Sequence, residues 1–236
     1  PVLIAQLAWF MHWKKFLQKS KLMKRYCYFI LKYLGFIKTN YEVSKDVDFG
    51  SYETNEYFLN SLKKSKLYLE FGAGSSTLLA DSLQINYRSI ESDKNFYQFI
   101  LNKIINKNKL FLINFGLTGD YSSPLFFKIR KYFFKNIAHR YSGQILNDLE
   151  SEKKVPDLVL IDGRFRVLCA LKLYSFLKNK TTYPTIILDD FKDREYYNVL
   201  ENFFNIKLLG RFAILDNIKK NDNLKKFIKI YTNDPR

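Results

Sequence analysis

Short, mostly apolar runs alternate with amphipathic segments from Tyr52 to Leu188. Five such runs are predicted to be strands, and they cover residues 67–71, 87–91, 110–113, 158–161 and 185–188. Strands that are apolar on both faces are typical of a parallel sheet with helices on both sides. The pattern therefore predicts a doubly wound α/β domain in which the strands are joined by crossover helices.

The connecting segments have the helical spacing of apolar residues that such a domain needs. Predicted helices cover residues 54–64, 75–83, 96–105, 126–149, 167–177 and 193–204. Two further strands are predicted at about 206–215 and 225–232, separated by a polar turn that includes Asp216 and Asp222. The complete prediction is a mostly parallel, seven-stranded, Rossmann-like sheet with a C-terminal antiparallel strand pair.

Residues 1–40 are predicted to be a helical arm, separate from a domain at 41–236. The formal net charge is +16, and the arm holds eight basic residues and no acidic one. Two helical faces are rich in aromatic residues, and Gly35 is placed to end the second helix. These faces consist of Trp9, Trp13, Phe16 and Leu17, and of Leu22, Tyr26, Phe29 and Tyr33. A basic aromatic arm is typical of contact with an anionic membrane surface or RNA. The alternative is that the arm is a pair of helices packed on the domain. Its lysines would then face water, as they do elsewhere in this lysine-rich chain.

The overall composition is that of a globular protein, with 47% hydrophobic and 26% charged residues. Two cysteines and two histidines exclude a disulfide scaffold and a His/Cys zinc site, and they favour a cytoplasmic location. The apolar run from Val2 to Met11 is shorter than the about 20 residues of a membrane span and lacks the flanks of a signal peptide. Because the chain starts at Pro1 without an initiator methionine, we expect a fragment or a processed product.

A glycine-containing turn follows the first predicted strand. It reads Glu70-Phe71-Gly72-Ala73-Gly74-Ser75, and Thr77 stands where the dinucleotide-binding fingerprint has its third glycine. Glu91 ends the second strand, 19 residues after Gly72, an offset at which an acid binds the hydroxyls of a ribose. This combination favours a nucleoside ligand over a pyrophosphate.

The segments LEFGAGSST and SIESD resemble the glycine motif and the ribose-binding acid of the class I S-adenosylmethionine-dependent methyltransferases. The resemblance covers about residues 52–236 and extends to the terminal antiparallel strand pair. It implies S-adenosylmethionine as the cofactor. The cofactor-binding residues that it implies are Glu70, Phe71, Gly72, Gly74, Ser75, Glu91 and Asp162.

Three acidic residues, Asp162, Asp189 and Asp190, follow the fourth and fifth strands. Carboxylates that converge repel one another unless a cation neutralises them, and Mg²⁺ prefers oxygen ligands. The arrangement resembles metal-dependent O-methyltransferases of the catechol and sugar types, which implies a metal at these three residues and catalytic roles for Asp162 and Asp190. Two alternatives stay open. The acids could cap helices, with Arg164, Arg166, Lys192 and Arg194 as counter-ions, or they could bind the cofactor amine or the substrate.

The catechol-type enzymes carry a lysine three residues after the fourth-strand acid, and here that residue is Phe165. Asp190, Lys192 and His139 are the remaining candidates for a general base. Arg164 and Arg166 stay protonated, so they suit the binding of a substrate carboxylate or phosphate.

The predicted function is methylation of a hydroxyl on a small molecule or glycan, with or without Mg²⁺. An RNA or protein methyltransferase that docks through the arm is the alternative enzyme, and a non-catalytic binding module is the third hypothesis. Asp162-Gly163-Arg164-Phe165 lacks the motif of nucleic-acid amine methylases, and Cys169 is expected in the core rather than as a nucleophile.

Overall fold

The computed structural model describes residues 21–37, 39–125, 127 and 131–236. Its α-helices are α1 (Lys21–Tyr33), α2 (Tyr52–Lys64), α3 (Ser75–Ser82), α4 (Lys94–Leu101), α5 (Lys131–Ser151), α6 (Arg166–Leu177) and α7 (Leu224–Tyr231). Its strands are β1 (Tyr68–Phe71), β2 (Tyr87–Glu91), β3 (Leu110–Leu112), β4 (Leu158–Ile161), β5 (Thr185–Leu188), β6 (Phe204–Leu209) and β7 (Phe212–Ile218). Three 3₁₀ helices lie at Lys107–Lys109, Asp120–Ser122 and Glu195–Asn202.

The seven strands form one sheet in the order β3-β2-β1-β4-β5-β7-β6. Strands β1 to β5 are mutually parallel, and β7 runs antiparallel to both β5 and β6. The predicted sheet and its antiparallel pair are therefore confirmed. The strand order reverses between β1 and β4, which is the place where open α/β sheets bind ligands.

The C-terminal boundaries differ from the prediction. The predicted strand at 206–215 spans the end of β6, a tight turn and the start of β7, because Gly210 adopts a φ of +56° and reverses the chain there. The predicted strand at 225–232 is mostly helix α7. Its apolar residues Leu224, Phe227, Ile228 and Tyr231 have helical spacing, and they pack on the core that contains α6. The segment predicted as helix 193–204 forms the 3₁₀ helix Glu195–Asn202 followed by the start of β6.

The sheet has a buried core on each face. One core contains α5, α6 and α7, and the other contains α2 and the α3 residue Ala80. Alternation along β1 divides its residues between them. Leu69 and Phe71 belong to the first core and Tyr68 to the second, so Glu70 points to the same side as Tyr68.

Helix α1 is the described part of the predicted arm, and it packs on the domain. It ends at Tyr33, where Gly35 has a φ of +83° and the backbone N–H groups of Gly35 and Phe36 donate to Lys32 and Leu31. Gly35 therefore lies two residues beyond the last residue of the helix. Phe29 on this helix is only 4% exposed, which shows that α1 buries part of its surface against the rest of the protein. The first predicted helical face, which includes Trp9 and Trp13, lies outside the described residues.

The loops that follow β1 and β4 touch through two glycines. Gly72 has a φ of +100°, and a Cβ atom there would lie 2.6 Å from both the backbone nitrogen and the Cα of Gly163. Gly74 differs, because its backbone is extended and a Cβ atom would meet nothing within 4 Å. Gly72 is therefore required by packing, and Gly74 leaves open space above the turn.

Replacing Gly72 with Ala should lower the free energy of unfolding by about 2–4 kcal/mol, because the new methyl group meets backbone and the residue keeps a positive φ. Gly74→Ala is the matched control and should cost about 1 kcal/mol or less. Chemical denaturation of both variants measures the difference. Equal losses at the two positions would contradict the packing argument.

Candidate active site

A cavity of about 770 Å³ lies beyond the carboxyl ends of β1, β2 and β4. Four of the predicted site residues line it, namely Gly72, Glu91, Asp162 and Asp190. Five others, namely Glu70, Phe71, Gly74, Ser75 and Asp189, are not among its lining residues. The structure thus brings the glycine turn, the β2 acid and the β4 acid to one cavity.

Glu91 lines this cavity from the end of β2. Its oxygen Oε1 accepts hydrogen bonds from the backbone N–H groups of Ser92 at 2.5 Å and Asp93 at 2.7 Å. Oε2 takes part in neither bond. The side chain is 4% exposed, and burial raises the pKa of Glu91 to about 7. Its orientation is therefore fixed by its own turn, and Oε2 accepts no hydrogen bond from that turn.

Glu70 supports the glycine turn from beneath. It is fully buried, and its carboxylate accepts hydrogen bonds from the hydroxyl groups of Ser76, Thr77 and Ser89, the last at 2.8 Å. The Thr77 hydroxyl also accepts from the backbone N–H of Gly74 at 3.0 Å. Glu70 therefore holds the start of α3 against β2, and its contacts are those of a positioning residue.

The carboxylates of Asp162, Asp189 and Asp190 converge, with ligand atoms within 4.8 Å of one another. Arg166 donates to Asp162 Oδ1 at 2.9 Å and to Asp190 Oδ2 at 3.3 Å. Arg211, in the β6–β7 turn, binds both oxygens of Asp189 at 2.7 and 2.8 Å and also pairs with Asp190. Arg194 donates to Asp190 Oδ2 at 2.9 Å. Three guanidinium groups thus neutralise three carboxylates.

These residues do not fit a bound Mg²⁺ ion in this arrangement. Carboxylate oxygens are the correct donors, but of the six oxygens only Asp162 Oδ2 has no guanidinium bond among the described residues. A cation would have to displace arginines whose charge already balances the cluster. The counter-ion hypothesis is supported for Arg166 and Arg194. Arg164 and Lys192 form no ion pair with the cluster, and Arg211 was not predicted.

Asp162 is the acid of the cluster that lines the cavity with one oxygen, Oδ2, that no guanidinium of the described residues binds, and its side chain also interacts with Asp189. Burial raises its pKa to about 8, with Asp189 and Asp190 acting in the same direction and the Arg166 charge opposing them. The other candidates for a general base are placed less well. Asp190 is bonded through both oxygens, and His139 and Lys192 are not among the lining residues.

Helix α1 and the loop around Asp120 form the outer wall of the cavity. Tyr28, Phe29 and Lys32 of α1 line it together with Tyr41 and Phe96. Asn95 Nδ2 donates to the backbone carbonyl of Lys32 at 2.8 Å, and Lys32 Nζ lies 3.8 Å from Asp93 Oδ2. A second ion pair joins Arg25 to Asp120. The described part of the arm is therefore a wall of the site. Contact of the arm with RNA or a membrane stays a prediction.

Tyr141 is a site residue that the sequence pattern did not reveal. It lies on α5, is fully buried, and lines the cavity beside Gly163. A Cβ atom at Gly163 would lie 1.9 Å from the Tyr141 hydroxyl, so only glycine is compatible with the ring in this position. Tyr141 lies in the middle of a long helix with no sequence motif around it. The spacing of apolar residues along that helix indicates only that this position is buried.

Comparison with known proteins identifies a similar fold. A methyltransferase-like protein from Silicibacter pomeroyi has a solved structure with a TM-score of 0.62 and 24% sequence identity, and the match covers 81% of this chain and 100% of that one. The chain has a methyltransferase-like fold. A hypothetical protein from Thermus thermophilus matches with a TM-score of 0.39 and 8% identity over 75% of this chain and 91% of that one. No family model matches the chain, and a search of curated proteins finds no match.

The described helices were also compared with the requirements of a membrane span. None of them combines the length and the apolar character needed to cross a bilayer.

Titration with Mg²⁺ or Mn²⁺ should show no stoichiometric binding to the acid cluster, because its oxygens are held by arginines. Arg211→Gln should raise Mn²⁺ affinity, since it leaves Asp189 and Asp190 short of positive charge. The same change should lower the free energy of unfolding by about 2–4 kcal/mol. Electron paramagnetic resonance of free Mn²⁺ measures the first effect and denaturation the second. Submillimolar Mn²⁺ binding to the wild type that Asp189→Asn abolishes would contradict the assignment.

Proposed function

We propose that this protein is an S-adenosylmethionine-dependent methyltransferase that transfers the methyl group to a hydroxyl of a small molecule or glycan without a metal. The observation that carries the proposal is that Glu91, whose Oε2 is not used by its own turn, lines the same cavity as Gly72 and Asp162. The fold of the methyltransferase-like neighbour supports it.

The residues of the cavity suit the proposed cofactor. A volume of about 770 Å³ lies within the usual range of small-ligand sites. Glu91 would accept the hydroxyls of the ribose, because a carboxylate at the end of the second strand is placed for that contact. The space beside Gly74 is open to the backbone approach of a ligand. When bound, the cofactor supplies an electrophilic methyl group on a positively charged sulfur.

Asp162 is proposed to act on the acceptor. Its carboxylate would orient the acceptor hydroxyl and take its proton as the hydroxyl oxygen bonds to the methyl carbon. The bond from that carbon to sulfur would break, which would leave S-adenosylhomocysteine. With a pKa of about 8, the ionised form of this carboxyl group, which prevails above that pH, is a stronger base than an ordinary aspartate. Arg166 holds Asp162 in place through the 2.9 Å bond. The aromatic wall of Tyr28, Phe29, Tyr41 and Phe96 would exclude water and accept an apolar part of the substrate.

Glu91→Ala should weaken the binding of S-adenosylhomocysteine, the product of the reaction, by about 10- to 100-fold. Hydrogen bonds to a charged group contribute about 1.5–3 kcal/mol each, and the variant loses the acceptor for the ribose hydroxyls. Isothermal titration calorimetry is the measurement. Glu201→Ala, which removes an exposed carboxylate from the 3₁₀ helix, is the control and should bind as the wild type does. Failure of the wild type to bind at millimolar concentration would refute the proposal.

Binding of S-adenosylhomocysteine should strengthen by about tenfold between pH 6 and pH 8, because Glu91 has a pKa of about 7 and only its ionised form is a full acceptor. The affinity rises with pH because burial raises the pKa of Glu91 into this pH range. The group is mostly protonated at pH 6 and mostly ionised at pH 8. Titrations across this range test the effect, and Glu91→Gln should bind weakly with a reduced pH dependence. A wild-type affinity that is the same at both pH values would exclude this role for Glu91.

A further inference from the structure

Arg164 differs from the other arginines that line the cavity. Arg166 and Arg211 are paired with carboxylates, whereas Arg164 has no ion pair within the described ranges. Its Nε donates to the backbone carbonyl of Tyr121 at 2.8 Å, and Nη2 donates to the same oxygen. This contact occupies one edge of the guanidinium and leaves the end formed by Nη1 and Nη2 without a carboxylate.

Tyr141 supplies a second hydrogen-bond donor next to Arg164. Its hydroxyl is buried and donates to no acceptor in the described part of the chain, and the backbone N–H of Arg164 faces its oxygen. Phe115 and Phe71 fix the ring, with centroid separations of 5.2 and 6.3 Å. Burial raises the pKa of Tyr141 well above its usual range, so the group keeps its proton. An unsatisfied buried hydroxyl costs about 1–3 kcal/mol, a cost that a ligand acceptor would remove.

The two donors lie on either side of Gly163. The Tyr141 hydroxyl is in contact with Gly163, and Arg164 is the next residue along the chain. Both line the cavity that Glu91 and Asp162 also line. The nearest acids, Asp162 and Asp190, are held by Arg166, Arg194 and Arg211, so they do not neutralise Arg164.

We propose that Tyr141 and Arg164 form an oxyanion subsite that binds a carboxylate or phosphate group of a ligand in this cavity. The inference rests on the proposed function for the identity of the ligands and deepens it. A guanidinium end and a neutral hydroxyl both donate, and both suit the oxygens of such an anion. Two ligands could supply the anion. One is the cofactor, through the carboxylate of its amino-acid part, and the other is an acceptor that carries a carboxylate or phosphate.

The experiment compares the wild type with Arg164→Gln, Tyr141→Phe and the control Arg140→Gln. Arg140 is exposed on α5 beside Tyr141, so its replacement removes the same charge away from the cavity. The first titration uses S-adenosylhomocysteine and 5′-methylthioadenosine, which share the nucleoside and differ in the amino-acid carboxylate. The second uses benzoate and phenyl phosphate on protein saturated with S-adenosylhomocysteine, and it is repeated on the free protein.

If the subsite exists, Arg164→Gln should weaken the binding of the anionic probe at least tenfold. Tyr141→Phe should weaken it less, and Arg140→Gln should leave it unchanged. A loss for S-adenosylhomocysteine but not for 5′-methylthioadenosine identifies the cofactor carboxylate. A loss confined to benzoate or phenyl phosphate identifies the acceptor. Equal binding of every probe by the wild type and Arg164→Gln would overturn the inference.

If S-adenosylhomocysteine does not bind the wild type, the proposed function fails, and the anion titrations on free protein still decide the subsite. Thermal melts check that each variant is folded, and loss of an unpaired hydroxyl should not destabilise Tyr141→Phe.

Discussion

The balance of charge at the carboxyl ends of β4 and β5 determines how the rest of the site is built. Three carboxylates lie within 4.8 Å of one another, and Asp189 is almost fully buried. Such a cluster is stable only if it is neutralised, and three arginines do this. The guanidinium groups come from α6, the segment after β5 and the β6–β7 turn. The network therefore ties the C-terminal hairpin to the centre of the sheet, and it fixes Asp162 at the cavity with one oxygen free.

The same balance separates the charged residues into two groups. Arg166, Arg194 and Arg211 neutralise acids, and their ion pairs have a structural role. Arg164 lies two residues before Arg166 but outside the network, and Glu91 is held by backbone N–H groups through one oxygen only. The groups that remain available to a ligand are thus an acid over β2, an acid after β4, and an arginine with a tyrosine hydroxyl beside it. This set of groups suits the ligand that we propose, which carries both hydroxyl groups and an anion.

Much of the fold was predictable from the sequence because the five parallel strands are short apolar runs with clear helical segments between them. The C-terminal region was not, since LKKFIKIY satisfies both a short strand and a helix, and only its packing against the core selects the helix. Glu91 was found through its position at the end of a strand. Glu70 was assigned to the cavity because it precedes the glycines, although the alternation of side chains along β1 directs it into the core beneath them. Arg211 and Tyr141 are brought to the site by tertiary contacts from distant segments, so no local pattern could place them.

The position of α1 bears on the size of the acceptor. Its residues Tyr28, Phe29 and Lys32 line the cavity, and Asn95, Asp93 and Asp120 hold the helix through one hydrogen bond and two ion pairs. A bulky polymer would have to displace these contacts to bring an internal residue to Asp162. The wall that the arm provides therefore supports the compact acceptor that we propose, and its aromatic surface suits an acceptor with a flat apolar part.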